Sequence, residues 1–527
     1  MAGTEFEIVI VGAGILGLNQ LHRAVQDGHR VQLLEQGDGV GGTWFWNRYP
    51  GCRFDSESYT YGYLFSEELW QEWEWSEEFA AQPETERYLN HVVDRFGLRE
   101  HIRFGSKVVS AVWDEDARSW TTTTEDGYVA RSTYLVSATG VLSVPSYPDV
   151  PGREDFAGEQ HHTGRWPDAE VAFSGKRVAV VGTGSSGVQV APIMAESAAS
   201  LTVYQRTPSW CTPLNNHPIT PEQQADLKAS FEPIKKVLDS SVSGFLHEPA
   251  GRRTFDDSPE ERRAFYERIW SAPGFSKMTS NYDDMMLDPA ANKEWCAFLE
   301  EKIRSIVTDP AVADRLVPDH PYGGLRPPFV TGYYEMFNRD NVELVALRET
   351  PLVRVTATGL ETSDAHREHD LIVWATGFDF GTGAMRRMGI VGAGGLALAD
   401  HWSEGPTSFL GLMCHGFPNF FFPGGPHGST GNNPRYGNDQ VDFVADLINL
   451  ATERGVDRIE VPLESEERWA GTMRKAMAFS TFIEHGQYYG TNVPGKPRRF
   501  LLNPAGRGAL QKVMAKTVEA DYPGFLG

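Results

Sequence analysis

One demanding pattern occurs twice in this chain and fixes most of its architecture. Phe6 to Val11 reads FEIVIV, a short apolar run rich in β-formers, and Gly12-Ala13-Gly14-Ile15-Leu16-Gly17 follows at once. A helical spacing comes next at Leu18, Leu21 and Val25, then a second apolar run, Val31 to Leu34, ending in Glu35. The acid stands 18 residues after the last glycine. Strand, glycine turn, helix, strand and acid in that order specify a parallel βαβ unit that holds a dinucleotide. Gly12 permits the tight turn, Gly14 lets the backbone approach a pyrophosphate, and Gly17 lets the helix pack on the sheet. The helix N-terminus then faces the phosphates, and Glu35 accepts a hydrogen bond from a ribose 2′-hydroxyl.

The second copy reads Arg177 to Val181 as a strand, then Gly182-Thr183-Gly184-Ser185-Ser186-Gly187, with a helix expected from near Val188. The next strand, Leu201 to Tyr204, ends in Gln205-Arg206-Thr207. Arg206 stands 19 residues after Gly187, where the first copy has its acid. A carboxylate there repels a 2′-phosphate, whereas an arginine and a hydroxyl bind one. The second site is therefore expected to favour NADP, the alternative being a solvated strand-end arginine. Two fingerprints in one chain predict FAD plus a nicotinamide cofactor. Tyr134 to Gly140 and Leu371 to Gly377 are two further strands, each ending in A-T-G. They are expected to close the two nucleotide domains, with the chain leaving the first near Gly140 and returning after Gly377.

Composition narrows the remaining choices. A length of 527 residues predicts about two to four domains, and a 40% hydrophobic content excludes disorder throughout. The net charge of -23 repels phosphate backbones, which argues against nucleic acid as a partner. No run approaches the roughly 18 to 20 apolar residues of a membrane span. Cys52, Cys211, Cys296 and Cys414 lie far apart, with no C-x-x-C pair. That argues against a disulfide framework, a cysteine zinc site and the dithiol of a flavin disulfide reductase, and makes the cytoplasm the expected compartment. Glu5 and Glu7 beside the first apolar run do not suit a signal peptide.

Two longer stretches resemble the Baeyer–Villiger monooxygenases, which use FAD and NADPH to insert oxygen beside a ketone carbonyl. Phe156-Ala-Gly158-Glu-Gln-His-His162-Thr-Gly-Arg-Trp166-Pro167 fits F-x-G-x-x-x-H-x-x-x-W-P at every fixed position. Gly41-Gly42-Thr43-Trp44 through Tyr49-Pro50-Gly51 to Asp55 fits G-G-x-W-x-x-x-x-Y-P-G-x-x-x-D. The resemblance runs from about residue 6 to Pro497. It implies an α/β fold of two Rossmann-like dinucleotide-binding domains, for FAD and NADP, with a helical insertion. The expected divisions are 1–148 and 377–527 for FAD, 149–216 and 325–376 for NADP, and 217–324 for the insertion. In the family, reduced flavin and oxygen give a C4a-peroxide whose anion attacks a ketone, yielding an ester or lactone. That anion needs a fixed positive charge and a dry pocket.

The resemblance places the active-site arginine at Arg326, in Pro321-Tyr-Gly-Gly-Leu325-Arg326-Pro-Pro, and its partner carboxylate at Asp55. It places Trp44 and Tyr61 against the flavin, beside Thr43. Arginine does not deprotonate, so Asp55 is expected to position the guanidinium and tune its field. His162 has two readings, a base or a hinge residue bonded to backbone, and the hinge is preferred. Two positions depart from the family. Leu325 stands where a lysine usually helps hold the NADP phosphate, a loss of about 1 to 3 kcal/mol of binding. Gln487 stands where relatives often have tryptophan. Oxygenation of sulfur or nitrogen is the nearest alternative activity, and an uncoupled NADPH-oxidising flavoprotein or sensor the next.

Thr220-Pro-Glu-Gln223 and Ser258-Pro-Glu-Glu261 each place a capping hydroxyl, a proline at N1 and a Gln or Glu at N3. Asp288-Pro289 and Asp309-Pro310 predict two more helix starts, with solvated charged faces. Val391 to Gly395 and Phe422 to Pro434 read as glycine-rich loops, the second after an apolar strand, Phe417 to Phe422, and before a helix around Val441 to Leu450. His427 in that loop faces substrate or is bonded to backbone. The expected partners are a small ketone and O2, with no nucleic acid and no membrane, in a monomer or weak homo-oligomer.

Overall fold

The computed structural model describes residues 4–428, 431–477, 490–491, 499–522 and 525. Gln487 lies outside the described residues. The strands, in chain order, are β1 (Thr4–Val11), β2 (Val31–Leu34), β3 (Ile102–Arg103), β4 (Val108–Asp114), β5 (Ser119–Thr124), β6 (Val129–Ser137), β7 (Glu159–His162), β8 (Arg177–Val181), β9 (Ser200–Gln205), β10 (Val342–Ala346), β11 (Leu352–Thr356), β12 (Gly359–Thr362), β13 (His366–Glu368), β14 (Leu371–Trp374), β15 (Ile390–Val391) and β16 (Phe420–Phe421). One sheet runs β15-β4-β5-β6-β1-β2-β3, with β16 also paired to β6. A second runs β10-β9-β8-β14-β7, and all its pairings are parallel. The chain thus contributes residues 4–137 to the first sheet, builds the second from 159–205 and 342–374, and returns to the first with β15 and β16.

Ile8, Val9 and Ile10 of β1 and Val178, Ala179 and Val180 of β8 are all buried. Continuous apolar runs of this kind suit strands covered on both faces. Helix α1 (Ile15–Gln26) buries Leu18, Leu21 and Ala24, at helical spacing, and its outer edge meets the helix Asn433–Arg454. Asn19 bonds Asn438 there at 3.1 Å, and Arg23 reaches Asp446 at 2.7 Å. The C-terminal third therefore completes the first nucleotide body.

The two A-T-G motifs have one structural explanation. A Cβ on Gly17 would sit 1.8 Å from the Gly12 carbonyl oxygen, and Ala138 packs against the same spot at 3.3 Å. In the second body, a Cβ on Gly187 would sit 2.0 Å from the Gly182 oxygen, with the Ala375 Cβ at 3.4 Å. Each glycine loop rests on the alanine that directly follows the neighbouring parallel strand.

Helix α2 (Ser185–Ala195) begins at Ser185 rather than near Val188, because Gly184 is already the N-cap and Gly187 continues the first turn. The strand expected over Phe417 to Phe422 contracts to β16, since Pro418 has no N–H and Asn419 has φ +55°. The helix expected around Val441 to Leu450 extends over Asn433–Arg454, opened by Pro434 and closed by Gly455 at φ +67°. Val391 belongs to β15 rather than to a loop, while Ala393–Gly395 forms a 3-10 turn.

The insertion holds helices Pro221–Ala229, Phe231–Ser240, Pro259–Ser271, Pro289–Ile306 and Pro310–Leu316. Thr220 with Gln223 and Ser258 with Glu261 form complete capping boxes. Asp288 and Asp309 cap the later two helices through Ala290 and Ala311 N–H. The charged face of Pro259–Ser271 carries ion pairs such as Arg262–Glu294 at 3.1 Å. Among the described residues no helix is long and apolar enough to cross a membrane.

Candidate active site

The first glycine loop opens into a cavity of about 390 Å³ lined by Gly12, Gly14, Glu35, Gly42 and Tyr436. Its floor is bare backbone: a Cβ on Gly42 would lie 2.7 Å from the Gly14 Cα. Side chains are excluded where a pyrophosphate has to approach, so these residues fit a dinucleotide. Glu35 is buried and accepts from Ala13 N–H at 2.7 Å and Gly37 N–H at 2.8 Å. Burial pushes its pKa up and those two N–H groups pull it back. Arg165 also lines this cavity, its guanidinium 4.4 Å from the Trp46 ring centroid and bonded to Ser143 O at 2.6 Å. It occupies a variable position of the F-x-G-x-x-x-H-x-x-x-W-P stretch, so the sequence carried no signal for it.

The second cavity, about 1170 Å³, is lined by Gly182, Thr183, Gly184, Ser185 and Ser186 of the second glycine loop, and by Arg206 and Thr207 just past β9. Arg206 is exposed at its rim. Arg348 lies beside it: one nitrogen is 3.4 Å from the Thr207 hydroxyl and another is held by Asp319 at 2.7 Å. Sequence reasoning missed this cation, which is 141 residues from Thr207. Among the described residues, Arg53, Arg206, Arg326, Arg386 and Arg387 line the cavity, with Asp55 and Asp379 as the acidic side chains. A chain of net charge -23 thus places more basic than acidic side chains around this cavity.

The two cavities share Thr43, Trp44 and Tyr61 in their walls. Thr43 and Trp44 belong to the short helix Thr43–Trp46, and Tyr61 ends the helix Ser58–Tyr61. Trp44 Nε1 donates to the Tyr61 hydroxyl at 3.0 Å, and Phe54 stacks on Tyr61 at 4.4 Å and 19°. Burial pushes the Tyr61 hydroxyl pKa well above its ordinary value, so it stays neutral.

On the second-cavity side of this aromatic wall, Arg326 meets Asp55. Arg326 Nη2 donates to Asp55 Oδ2 at 2.5 Å, and Nη1 donates to Ser185 Oγ at 3.1 Å. The two side chains are 22% and 13% exposed, so the charge is only partly solvated. The guanidinium lies 5.2 Å over the Phe275 ring, a contact from the insertion that sequence reasoning missed. One arginine is therefore held by a carboxylate from the first nucleotide body and a hydroxyl from the second. Leu325 lines the same cavity beside it.

His162 is buried on edge strand β7, its Nδ1 accepting from Gly164 N–H at 2.9 Å. Burial pushes its pKa down to about 4, and its ring meets Tyr147 and Phe378 edge-on. Among the described residues it lines neither cavity, and its ring is bonded to backbone. His427 is bonded to backbone: its Nε2 lies 3.0 Å from Phe500 O.

Comparison with known proteins places this geometry. The family model described as pyridine nucleotide-disulphide oxidoreductase matches residues 9–308, across both glycine motifs. A 2-oxo-Delta(3)-4,5,5-trimethylcyclopentenylacetyl-CoA monooxygenase of Pseudomonas putida is 42% identical, over 98% of both chains. The crystal structure of a cyclohexanone monooxygenase from Rhodococcus sp. Phi1, bound to NADP+, superposes with a TM-score of 0.97 at 39% identity, covering 99% of both chains. The chain belongs to the Baeyer–Villiger monooxygenases. A phenazine N-monooxygenase of Lysobacter antibioticus is also similar, 38% identical over 99% of this chain and 97% of its own. Overall similarity is therefore shared by relatives with different oxygen acceptors.

Proposed function

We propose that this enzyme binds FAD and NADPH and inserts one atom of O2 into a ketone, giving an ester or lactone, with the second atom leaving as water. The observation that carries this reading is the Arg326–Asp55 pair, which lines the second cavity together with Trp44 and Tyr61 of the wall that both cavities share. Bound FAD, reduced by NADPH, supplies the chemistry that activates O2. The protein's own residues bind, orient and exclude water. Gly12, Gly14 and Gly17 cradle the FAD pyrophosphate, and Glu35 accepts from its ribose. Gly182, Gly184 and Gly187 do the same for NADPH, with Ser185 and Ser186 at the helix N-terminus. Thr43, Trp44, Tyr61 and Phe54 wall the reacting centre.

Arg326 provides a charge that cannot be lost to deprotonation, aimed at oxygen that turns negative as a ketone carbonyl is attacked. Asp55 holds that charge in place and prevents it from swinging to other acceptors. Sulfur or amine oxygenation generates no carbonyl oxyanion, so a held guanidinium favours the ketone. The divisions 1–148 with 377–527 for FAD, and 149–216 with 325–376 for NADP, complete the proposal.

A panel of linear, cyclic, bicyclic, aryl and steroid ketones, with a thioether beside them, tests it. Ester or lactone approaching the NADPH consumed is expected for at least one ketone. Hydrogen peroxide matching the NADPH consumed with every ketone would overturn the reading, as would sulfoxide without any ester.

Arg206 and Thr207 are assigned to the NADP 2′-phosphate. With Leu325 supplying no charge, Arg206→Ala should raise the KM for NADPH by about 10- to 100-fold, the loss of one charge-assisted contact. The KM for NADH should stay nearly constant, and steady-state kinetics with both cofactors reads the difference.

A further inference from the structure

The loop that carries Asp55 is tied to the insertion by a buried polar chain. Glu57 Oε1 lies 2.5 Å from His247 Nε2, and His247 Nδ1 lies 2.6 Å from Thr279 Oγ1. Thr279 Oγ1 in turn donates to Phe275 O at 3.0 Å. Glu57 and His247 side chains are 16% and 10% exposed. The Phe275 carbonyl and the Glu57 carboxylate only accept. The Glu57 contact therefore takes its hydrogen from His247 Nε2, and the Phe275 contact takes its hydrogen from the Thr279 hydroxyl.

The same segment touches the catalytic pair directly. A Cβ on Gly274 would sit 2.8 Å from the Asp55 carbonyl oxygen, so the two backbones are in contact. Phe245 stacks on the His247 ring at 5.2 Å and 4°, Phe275 packs on Phe245 at 5.1 Å, and Phe275 faces the Arg326 guanidinium. Nearby, the buried Lys277 donates to Ala272 O within the same turn. Glu57 also caps the helix that ends at Tyr61, accepting Thr60 N–H at 2.9 Å and Tyr61 N–H at 3.0 Å on its carbonyl.

We infer that Glu57, His247 and Thr279 are positioning residues for ketone oxygenation. They clamp residues 274–279 onto the Asp55 loop and so hold the Phe275 ring over Arg326. The inference rests on Arg326 being the group that stabilises the oxyanion. None of the three is placed among the residues that touch substrate or cofactor. Loosening the clamp should spare hydride transfer from NADPH and impair the productive use of oxygen. A packing role alone would not separate these two.

The test uses the FAD-loaded, full-length enzyme with Thr279→Val, Thr279→Ser and His247→Phe. Thr279→Val keeps the side-chain shape and removes the hydroxyl, Thr279→Ser keeps the hydroxyl, and His247→Phe keeps the ring stack. Ester formed per NADPH should fall about three- to tenfold in Thr279→Val and His247→Phe, the range of one lost buried hydrogen bond. Anaerobic flavin reduction should stay within about twofold of the parent, a change too small to signal a lost contact. Hydrogen exchange over 274–281 should rise in the same two variants, with or without FAD. Thr279→Ser should match the parent throughout. Unchanged ester yield in Thr279→Val and His247→Phe, or a loss in Thr279→Ser equal to that in Thr279→Val, overturns the inference. Arg326→Ala separates the two levels: normal ester yield in it removes the reading of the site itself. Loss of ester there with full yield in both clamp variants removes only the clamp.

Discussion

Arg326→Ala should still accept electrons from NADPH yet lose ester formation by about 10²- to 10³-fold, the effect of removing one aimed donor from an oxyanion site. The guanidinium sits on the second-cavity side of the wall made by Trp44, Tyr61 and Phe54, bonded to Asp55 at 2.5 Å. Hydride transfer develops no negative carbonyl oxygen, so its rate does not depend on that charge. Arg326→Lys should fall between. An ammonium retains the charge but lacks the planar fork that reaches Asp55 and Ser185 at once. Product analysis by gas chromatography and anaerobic stopped-flow reduction give the two readings. Full ester yield in Arg326→Ala would take the residue out of the chemistry.

Gly17→Ala and Gly187→Ala should divide the two cofactors. The added Cβ of the first would lie 1.8 Å from Gly12 O, and that of the second 2.0 Å from Gly182 O. Both clashes are with backbone, and no side-chain rotation relieves them. The loop has to move away from its helix, and overpacking of this kind costs about 1 to 3 kcal/mol or more. In Gly17→Ala the displaced loop is assigned to FAD, so the protein should purify largely without flavin absorbance. Gly187→Ala should purify yellow and raise the KM for NADPH by about 10- to 100-fold, the equivalent of that strain. Loss of flavin in Gly187→Ala, with normal flavin in Gly17→Ala, would reverse the assignment of the two sites.

The nucleotide units were legible because their chemistry is local. Glycine spacing, the following helix and the residue closing the second strand all fall within about 30 residues, the size of one βαβ unit. The capped starts at Thr220, Ser258, Asp288 and Asp309 were legible for the same reason. The expected strand at Phe417 to Phe422 was too long because apolar content was read without the effects of Pro418 and the left-handed Asn419. The Arg326–Asp55 pair is a different case. Its members are 271 residues apart, and only the resemblance of Gly41 to Asp55 and of Pro321 to Pro328 brought them together. Arg165, Phe275, Arg348 and His247 had no such guide. Folding brings Arg165 and Phe275 against the cavities, Arg348 against Thr207, and His247 against Glu57, and none of these contacts is local in sequence.

The most direct measurement is a double-mutant cycle on ester formed per NADPH with Asp55→Ala, Arg326→Ala and both together. If the carboxylate acts by holding the guanidinium, removing it matters only while the guanidinium is present. The double variant should then be no worse than Arg326→Ala alone, with strongly non-additive losses. Full additivity of the two single losses would show that Asp55 and Arg326 act independently and would contradict the account.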